Sequence, residues 1–367
     1  LKACIPHRTE TRRGCYAMAH RCLAVLLLLA GVLASPGPGD ECGSDLSSML
    51  AITAPGCRAT TGKPAVAAYI VGIKSRLLLS SKLDMLLRPL VADGFAAHVY
   101  MSLVWNTAGS GFDGAANPIH GAQSEDPAIA ALDPSGLRAH LASRVASTGA
   151  CAAVVEVLPH AEELGDVPVN AGQMSSYPPR QTREGRRVLA RWVSMERLWN
   201  ATLANERVQG RKYDLLMTLR DDTFFVAPVT APKVWLATPS ASRTLWAREW
   251  VRDRFIRDKL LVFGRDVAPT VMTLYTSFMK GGLKNVETEN AEHHLETAVV
   301  RAHLKVVRVP CAALPEAVGM YVRGPRGLSL CLVRGMISDD DDRELTSHKS
   351  SPPFCERLNI SSPVSPA

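Results

Sequence analysis

Tyr213-Asp-Leu-Leu-Met-Thr-Leu-Arg220-Asp221-Asp222-Thr-Phe-Phe-Val226 is the stretch whose reading decides the fold. An apolar run suited to a buried strand ends in two adjacent carboxylates, and apolar character resumes at once with Phe224-Phe225-Val226. Uncompensated charges at the end of a buried strand are expensive, so such a pair is kept in solvent or against a cation. An Mg²⁺ or Mn²⁺ ion carrying a diphosphate is one such cation, and the flanking apolar residues argue for a cleft edge over an open loop. Strand-end Asp residues also form turns and cap helices, and the local sequence leaves that alternative open.

On both sides of this strand the pattern alternates between strand and helix. Residues 65–73 are an almost continuous apolar run suited to a central strand, residues 77–91 carry apolar residues at helical spacing until Gly94, and residues 97–105 form the next strand. Strand, helix and strand in such close succession mark a parallel α/β unit. The spacing predicts a helix over 137–145 and a strand over 151–158. A long helix over 183–208 follows, with Val188, Trp192, Met195, Leu198, Trp199 and Leu203 on one stripe. Beyond the acidic doublet, 259–263 reads as a short strand, 270–279 and 289–304 as helices, and 305–309 as a last strand. Gly109-Ser-Gly111-Phe-Asp-Gly114 formally matches a dinucleotide fingerprint, but Asn117-Pro118 and Gly121 follow where a helix would have to open, so it reads as a loop. Residues 161–182 read as a surface loop. The expected fold is therefore α/β, with a mostly parallel central sheet flanked by helices.

The 367 residues are 47% apolar, enough for a core in one large or two small domains. The net charge of +7 is scattered and lacks an aromatic-interleaved basic patch, so nucleic acid is not an expected partner. Cys22 to Ala34 is an apolar run shorter than the roughly 20 residues that span a bilayer, and it precedes Ser35-Pro36-Gly37. It reads as a signal peptide, or alternatively as a signal anchor giving a type II membrane protein. Three of the nine cysteines precede or enter that segment. The remaining six, Cys42, Cys57, Cys151, Cys311, Cys331 and Cys355, can pair in an oxidising lumen, with the connectivity open. Asn200-Ala-Thr and Asn359-Ile-Ser are N-glycosylation acceptors. The expected organisation is a signal segment over 1–34, a Pro/Gly/Ser-rich stem over 35–62, a catalytic domain over 63–336 and a flexible tail over 337–367.

Gly72-Ile-Lys-Ser-Arg76 after the first strand, Gly210-Arg-Lys-Tyr213-Asp214 after the long helix, Leu219-Arg220-Asp221-Asp222, and Asn290-Ala-Glu292-His-His-Leu295 before Val306-Val-Arg-Val309 together resemble luminal GT-A glycosyltransferase-like proteins. The resemblance covers roughly residues 63–312 through short motifs, a "YD…R-x-D" strand and a late Glu-x-x-Leu helix. It implies a Rossmann-like GT-A fold and transfer of a sugar from a nucleotide-sugar donor to a glycan, glycoprotein or glycolipid acceptor. The place would be the secretory pathway: the Golgi or ER lumen, or secretion. Asp222 matches the last carboxylate of the DxD-type motif, which would hold Mn²⁺ or Mg²⁺ against the diphosphate. Asp221 stands where the family often has proline, and Arg220 where a second motif carboxylate would be needed. Arg76 and Arg220 resemble basic residues lining the nucleotide pocket.

Such a site has a coherent chemistry. Negative charge builds on the leaving diphosphate, and a divalent ion or an Arg/Lys clamp stabilises it. A carboxylate on the acceptor side takes the proton of the attacking hydroxyl, and Glu292 is the candidate because it shares a helix face with Leu295 and Val299. Near a helix N-terminus Glu292 could equally serve the helix dipole. His293 and His294 diverge by about 100° on a helix and cannot both ligate one ion, so only one of them faces a cleft. His293 and Asp266 stand as secondary candidates for substrate contact. Two other functions compete: a non-catalytic secreted carbohydrate-binding protein of the same fold, and a secreted metal-dependent hydrolase using Asp221, Asp222, Asp266 and a histidine.

Overall fold

Strand β1 (Ala65–Ile73) feeds two cores at once. Val66, Ala68 and Ile70 enter one hydrophobic cluster, while Ala65, Ala67, Tyr69 and Val71 enter the other. A strand buried on both faces has no polar side to alternate with, which is why its sequence is almost uniformly apolar. The computed structural model describes residues 62–105, 122–123, 129, 131–158, 164–230, 232–249, 255–283, 286–310, 312–324 and 327–334. The chain divides into two compact units, Leu1–Leu46 and Ser47–Ala367, and all described residues belong to the second. The N-terminal apolar segment, Cys42, Cys57, the 109–114 loop, Cys311, Asn359 and the tail lie outside the described residues. Among the described residues no helix is long and apolar enough to cross a membrane.

The remaining strands are β2 (Ala96–Val104), β3 (Ala122–Gln123), β4 (Cys151–Leu158), β5 (Gln173–Met174), β6 (Leu215–Arg220), β7 (Thr223–Phe225), β8 (Thr244–Arg248), β9 (Leu260–Gly264), β10 (Glu287–Thr288), β11 (Lys305–Val309), β12 (Glu316–Gly324) and β13 (Gly327–Arg334). Seven of them form the central sheet in the order β11-β8-β9-β6-β1-β2-β4. β1 runs parallel to β2 and β6, β2 to β4, and β8 to β11; β9 alone is antiparallel to both neighbours. This is the expected α/β architecture, a mostly parallel central sheet flanked by helices. From β1 the chain moves outward to β2 and β4, then returns through the long helix Arg183–Gln209 to lay β6 on the other side of β1. The strand order reverses there, and in open α/β sheets the crevice outside the carboxyl ends at such a reversal is where ligands bind.

On one face lie the segment formed by Leu79–Lys82, a wider turn Leu83–Leu87 and Arg88–Ala92, and the helix Pro134–Ala146. On the other lie Arg183–Gln209, Ala268–Met272, Leu274–Met279 and Ala291–Arg301. The long helix starts at Thr182, whose hydroxyl accepts the Gly185 N–H at 3.2 Å, and stops at Gly210, which takes the left-handed conformation with φ 64°. Tyr213 and Asp214 tie its far end to the sheet. The Asp214 carboxylate accepts the Ala65 N–H at 2.7 Å, and the Tyr213 hydroxyl meets Tyr100 at 2.8 Å and the Asn205 amide at 2.9 Å. The first half of the motif is thus an architectural clasp.

Some elements depart from the sequence reading. The helix expected over 270–279 is broken at Thr273, and the one expected over 289–304 is confined to Ala291–Arg301 because Asn290 caps it, accepting the His293 N–H at 2.8 Å. β5 pairs with β10 inside what reads as a loop. β8 went unrecognised because its apolar core is only Leu245-Trp-Ala247 between polar residues, too short for a periodicity. The hairpin β12–β13 did carry a signal, Gly324-Pro-Arg-Gly327 between apolar runs. β12 also pairs antiparallel with β7, which closes over the acidic turn.

Candidate functional site

In the pairing of β1 with β6, Val71 lies opposite Arg220, so Gly72 and Asp221 follow side by side. The Asp221 side chain folds back over Gly72, where a Cβ would come within 2.5 Å of the Asp221 Cβ and closer still to its carboxyl. The φ of Gly72 is ordinary, so glycine is required there by space and not by conformation. From this position Asp221 accepts the Ile73 N–H at 2.9 Å and a bidentate pair from Arg76, Nε at 2.9 Å and Nη2 at 3.0 Å. Its backbone carbonyl takes the buried Lys82 ammonium at 2.8 Å, and Lys82 also donates to Leu78 O at 2.9 Å and Thr223 O at 2.6 Å. Asp221 therefore locks the ends of β1 and β6 together, and Lys82 ties the segment that follows β1 to the acidic turn.

Asp222 is bound in the same manner by its own neighbour. Arg220 donates from Nε at 2.9 Å to one oxygen and from Nη2 at 2.8 Å to the other, with Arg76 Nη1 3.5 Å away. Burial pushes the Asp222 carboxyl up, but Arg220, Arg76 and Lys259 outweigh it and hold the group well below the usual carboxylate range. Burial likewise opposes the charge on Arg220, and Asp222 and Asp258 override it.

Asp258 and Lys259 are the residues the sequence reading missed. They precede β9, and because β9 runs antiparallel, Leu260 pairs with Leu219 while Gly264 pairs with Leu215. The start of β9 thus arrives beside the end of β6, and the end of β9 lies at the opposite edge of the sheet. Asp258 binds Arg191 of the long helix, with Lys259 Nζ at 3.7 Å and Arg220 Nη1 at 3.9 Å from its other oxygen. Burial pushes Asp258 up, yet Arg191, Lys259 and Arg220 carry it well below the usual range. Lys259 is lowered by burial and then by Arg220, with Asp258 opposing.

The same strand direction corrects the reading of Asp266. It follows β9 at the far edge, exposed, with its N–H on Ser242 O at 2.8 Å, so it stands apart from the doublet. A hydrolase centre combining Asp221, Asp222 and Asp266 is not assembled. His293 stacks on Phe255 at 4.2 Å between ring centroids, and its Nδ1 accepts the Glu289 N–H at 3.0 Å. His294 is buried between Trp192 and Phe278, which lowers its pKa to about 4, chiefly by desolvation and then by His293. Glu292 opens the helix Ala291–Arg301, and burial and then Asp258 raise its pKa, with Lys259 and Arg191 opposing. A further carboxylate, Glu316 at the start of β12, is buried with neither oxygen hydrogen-bonded among the described residues. Burial pushes it up to about 7 against Arg248, Arg257 and Lys259.

These residues do not fit a divalent ion at the doublet. Such an ion takes six or more oxygen ligands for Ca²⁺, or near-ideal octahedral oxygens for Mg²⁺. Both Asp221 oxygens accept from Arg76, and both Asp222 oxygens accept from Arg220. Among the described residues Asp258 Oδ1 accepts no hydrogen bond but is flanked by the Lys259 and Arg220 nitrogens, where a cation is repelled. Among the described residues no group of three or more His, Cys, Asp or Glu side chains could hold a metal ion. The cavity beneath the cluster, lined by Tyr69, Arg191, Trp192, Thr218, Arg220 and Asp258, has a volume of about 20 Å³, room for about one water.

No protein-family model matches the chain. Nor does any curated protein. Among solved structures the chain is similar to the apo-form glycosyltransferase GlyE of Streptococcus pneumoniae TIGR4, at 9% identity and a TM-score of 0.30, over 67% of this chain and 45% of that one. The chain therefore spans less than half the length of that protein, and a likeness of this size carries no argument about function. The fold rests on the strand order described above.

Proposed function

We propose that this chain is a glycosyltransferase that moves a sugar from a nucleotide-sugar donor to a hydroxyl of a glycan, protein or lipid acceptor. The observation that supports it is the convergence of Arg76, Arg220 and Lys259 at the carboxyl ends of β1 and β6, where the strand order reverses, with the charge of Glu292 influenced by Asp258 and Lys259. In this reading the donor lies on the solvent side of the cations, since the cavity below them is too small for a sugar. The acceptor oxygen forms a bond to the anomeric carbon as the bond to the diphosphate breaks. The electron pair leaves with the diphosphate, whose charge the guanidinium and ammonium groups stabilise, and the hydroxyl proton passes to Glu292. The apolar segment at 22–34 and the six later cysteines support a luminal setting. A panel of nucleotide sugars, read by released nucleoside diphosphate on wild type and Glu292→Gln, tests the proposal. Turnover with a uridine or guanosine diphosphate sugar that the variant loses is the expected result; full activity in the variant removes Glu292 from the mechanism. A second reading, a non-catalytic sugar-nucleotide binder of the same fold, is favoured by the complete pairing of the doublet with the protein's own arginines, and binding without turnover would establish it.

A further inference from the structure

We infer that the crevice at the ends of β1 and β6 holds the diphosphate of a nucleoside diphosphate directly on Arg220 and Lys259, with no divalent cation between phosphate and protein. The inference rests on the nucleotide-sugar reading above and specifies how that ligand is held.

The charges are layered. The carboxylates of Asp221, Asp222 and Asp258 are 1%, 5% and 12% exposed, whereas Arg76, Lys259, Arg191 and Arg220 are 13%, 17%, 18% and 20% exposed. The doublet carboxylates are thus the more enclosed partners, and the side chains of Arg220 and Lys259 keep somewhat more exposure than the carboxylates they pair with. A metal site has the reverse arrangement, carboxylate oxygens outward toward the ion.

Donor capacity remains where a phosphate would need it. Arg220 spends Nε and Nη2 on Asp222, which fixes the plane of its guanidinium, and the nearest carboxylate oxygen to its Nη1 is 3.9 Å away. Lys259 Nζ carries three N–H donors and makes no hydrogen bond among the described residues; its nearest carboxylate oxygen is 3.7 Å away. Both groups lean toward the same oxygen, Asp258 Oδ1, so they are close enough to share one diphosphate. Arg191 holds Asp258 from the other side and keeps that oxygen between them. Asp222 and Asp258 are accordingly positioning residues for the two cations. A fixed guanidinium edge beside an ammonium suits the non-bridging oxygens of two linked phosphates.

The test is calorimetric titration of the full chain with UDP, GDP, the two nucleosides and inorganic pyrophosphate, each in EDTA and again with Mn²⁺. The expected result is that a nucleoside diphosphate binds with the same affinity in EDTA as with Mn²⁺ and that pyrophosphate competes. Lys259→Gln should weaken binding about tenfold or more while Lys259→Arg keeps most of it, the loss expected for one charge-assisted contact. Binding that needs Mn²⁺ and vanishes in EDTA overturns the inference and leaves the nucleotide-sugar reading intact. Failure of every diphosphate in both buffers overturns both. Undiminished binding by a folded Lys259→Gln removes Lys259, and should that variant not fold, the wild-type comparison in EDTA and Mn²⁺ decides alone.

Discussion

Replacing Gly72 with alanine isolates the contact on which the crevice is built. The φ of Gly72 is ordinary, so alanine by itself should gain a few tenths to about 1 kcal/mol by restricting the unfolded chain. Against that, the new Cβ would lie within 2.5 Å of the Asp221 Cβ, and Asp221 must move. It cannot move without giving up the bidentate pair with Arg76 and the Ile73 N–H. Breaking a buried ion pair costs about 3–5 kcal/mol, and because Arg76 can follow the carboxylate part of the way, a net loss of ~3 kcal/mol is expected. In urea denaturation, with m of about 3 kcal/mol/M, the midpoint should fall by about 1 M. The control is Asp221→Gly, which removes the obstructing side chain: in that background Gly72→Ala should be neutral or slightly stabilising. An unchanged midpoint in the single variant, or an equal loss in both backgrounds, would refute the reasoning.

Lys82→Met removes an ammonium shared by three buried carbonyls and should destabilise the protein by about 3 kcal/mol in the same assay. Glu316 sets a pH dependence: its carboxyl is raised from 4.5 to about 7 in the folded state, so the native protein binds the proton more tightly than the unfolded chain. Stability from this group is full below pH 4.5 and is lost as the pH rises through 7, a change of ~3 kcal/mol that Glu316→Gln should abolish in denaturation curves recorded below pH 4.5 and above pH 7. Glu292→Gln should lower kcat about 10²- to 10⁴-fold with little change in KM. Because burial and Asp258 raise Glu292 above its ordinary 4.5, the wild-type rate should fall on acidification at a pH above that value, a limb the variant lacks.

Part of the site was legible because its residues sit where local pattern controls direction. The continuous apolar run of β1, the abrupt end of β6 at the doublet and the helical phase of Glu292 with Leu295 and Val299 are short-range properties. Asp258, Lys259 and Arg191 were not legible in that way. They belong to the site only because β9 is inserted antiparallel beside β6, and a short apolar strand reads the same in either direction. The same reversal carried Asp266 to the far edge. Lys82 looks like an exposed position on an amphipathic helix, and only its encounter with the carbonyls of 221 and 223 explains its burial.

By itself the sequence determined that this chain builds an α/β sheet buried on both faces, because periodicity and strand length are written locally in which residues are apolar. It also determined that two carboxylates close the apolar strand over 213–220. Only the tertiary structure decided what those carboxylates do. Whether an acidic pair binds a metal ion or an arginine depends on which charges the fold brings within about 4 Å, and strand order and direction set that, not residue spacing. Here they brought guanidinium groups, and both carboxylates of the doublet are paired with arginine.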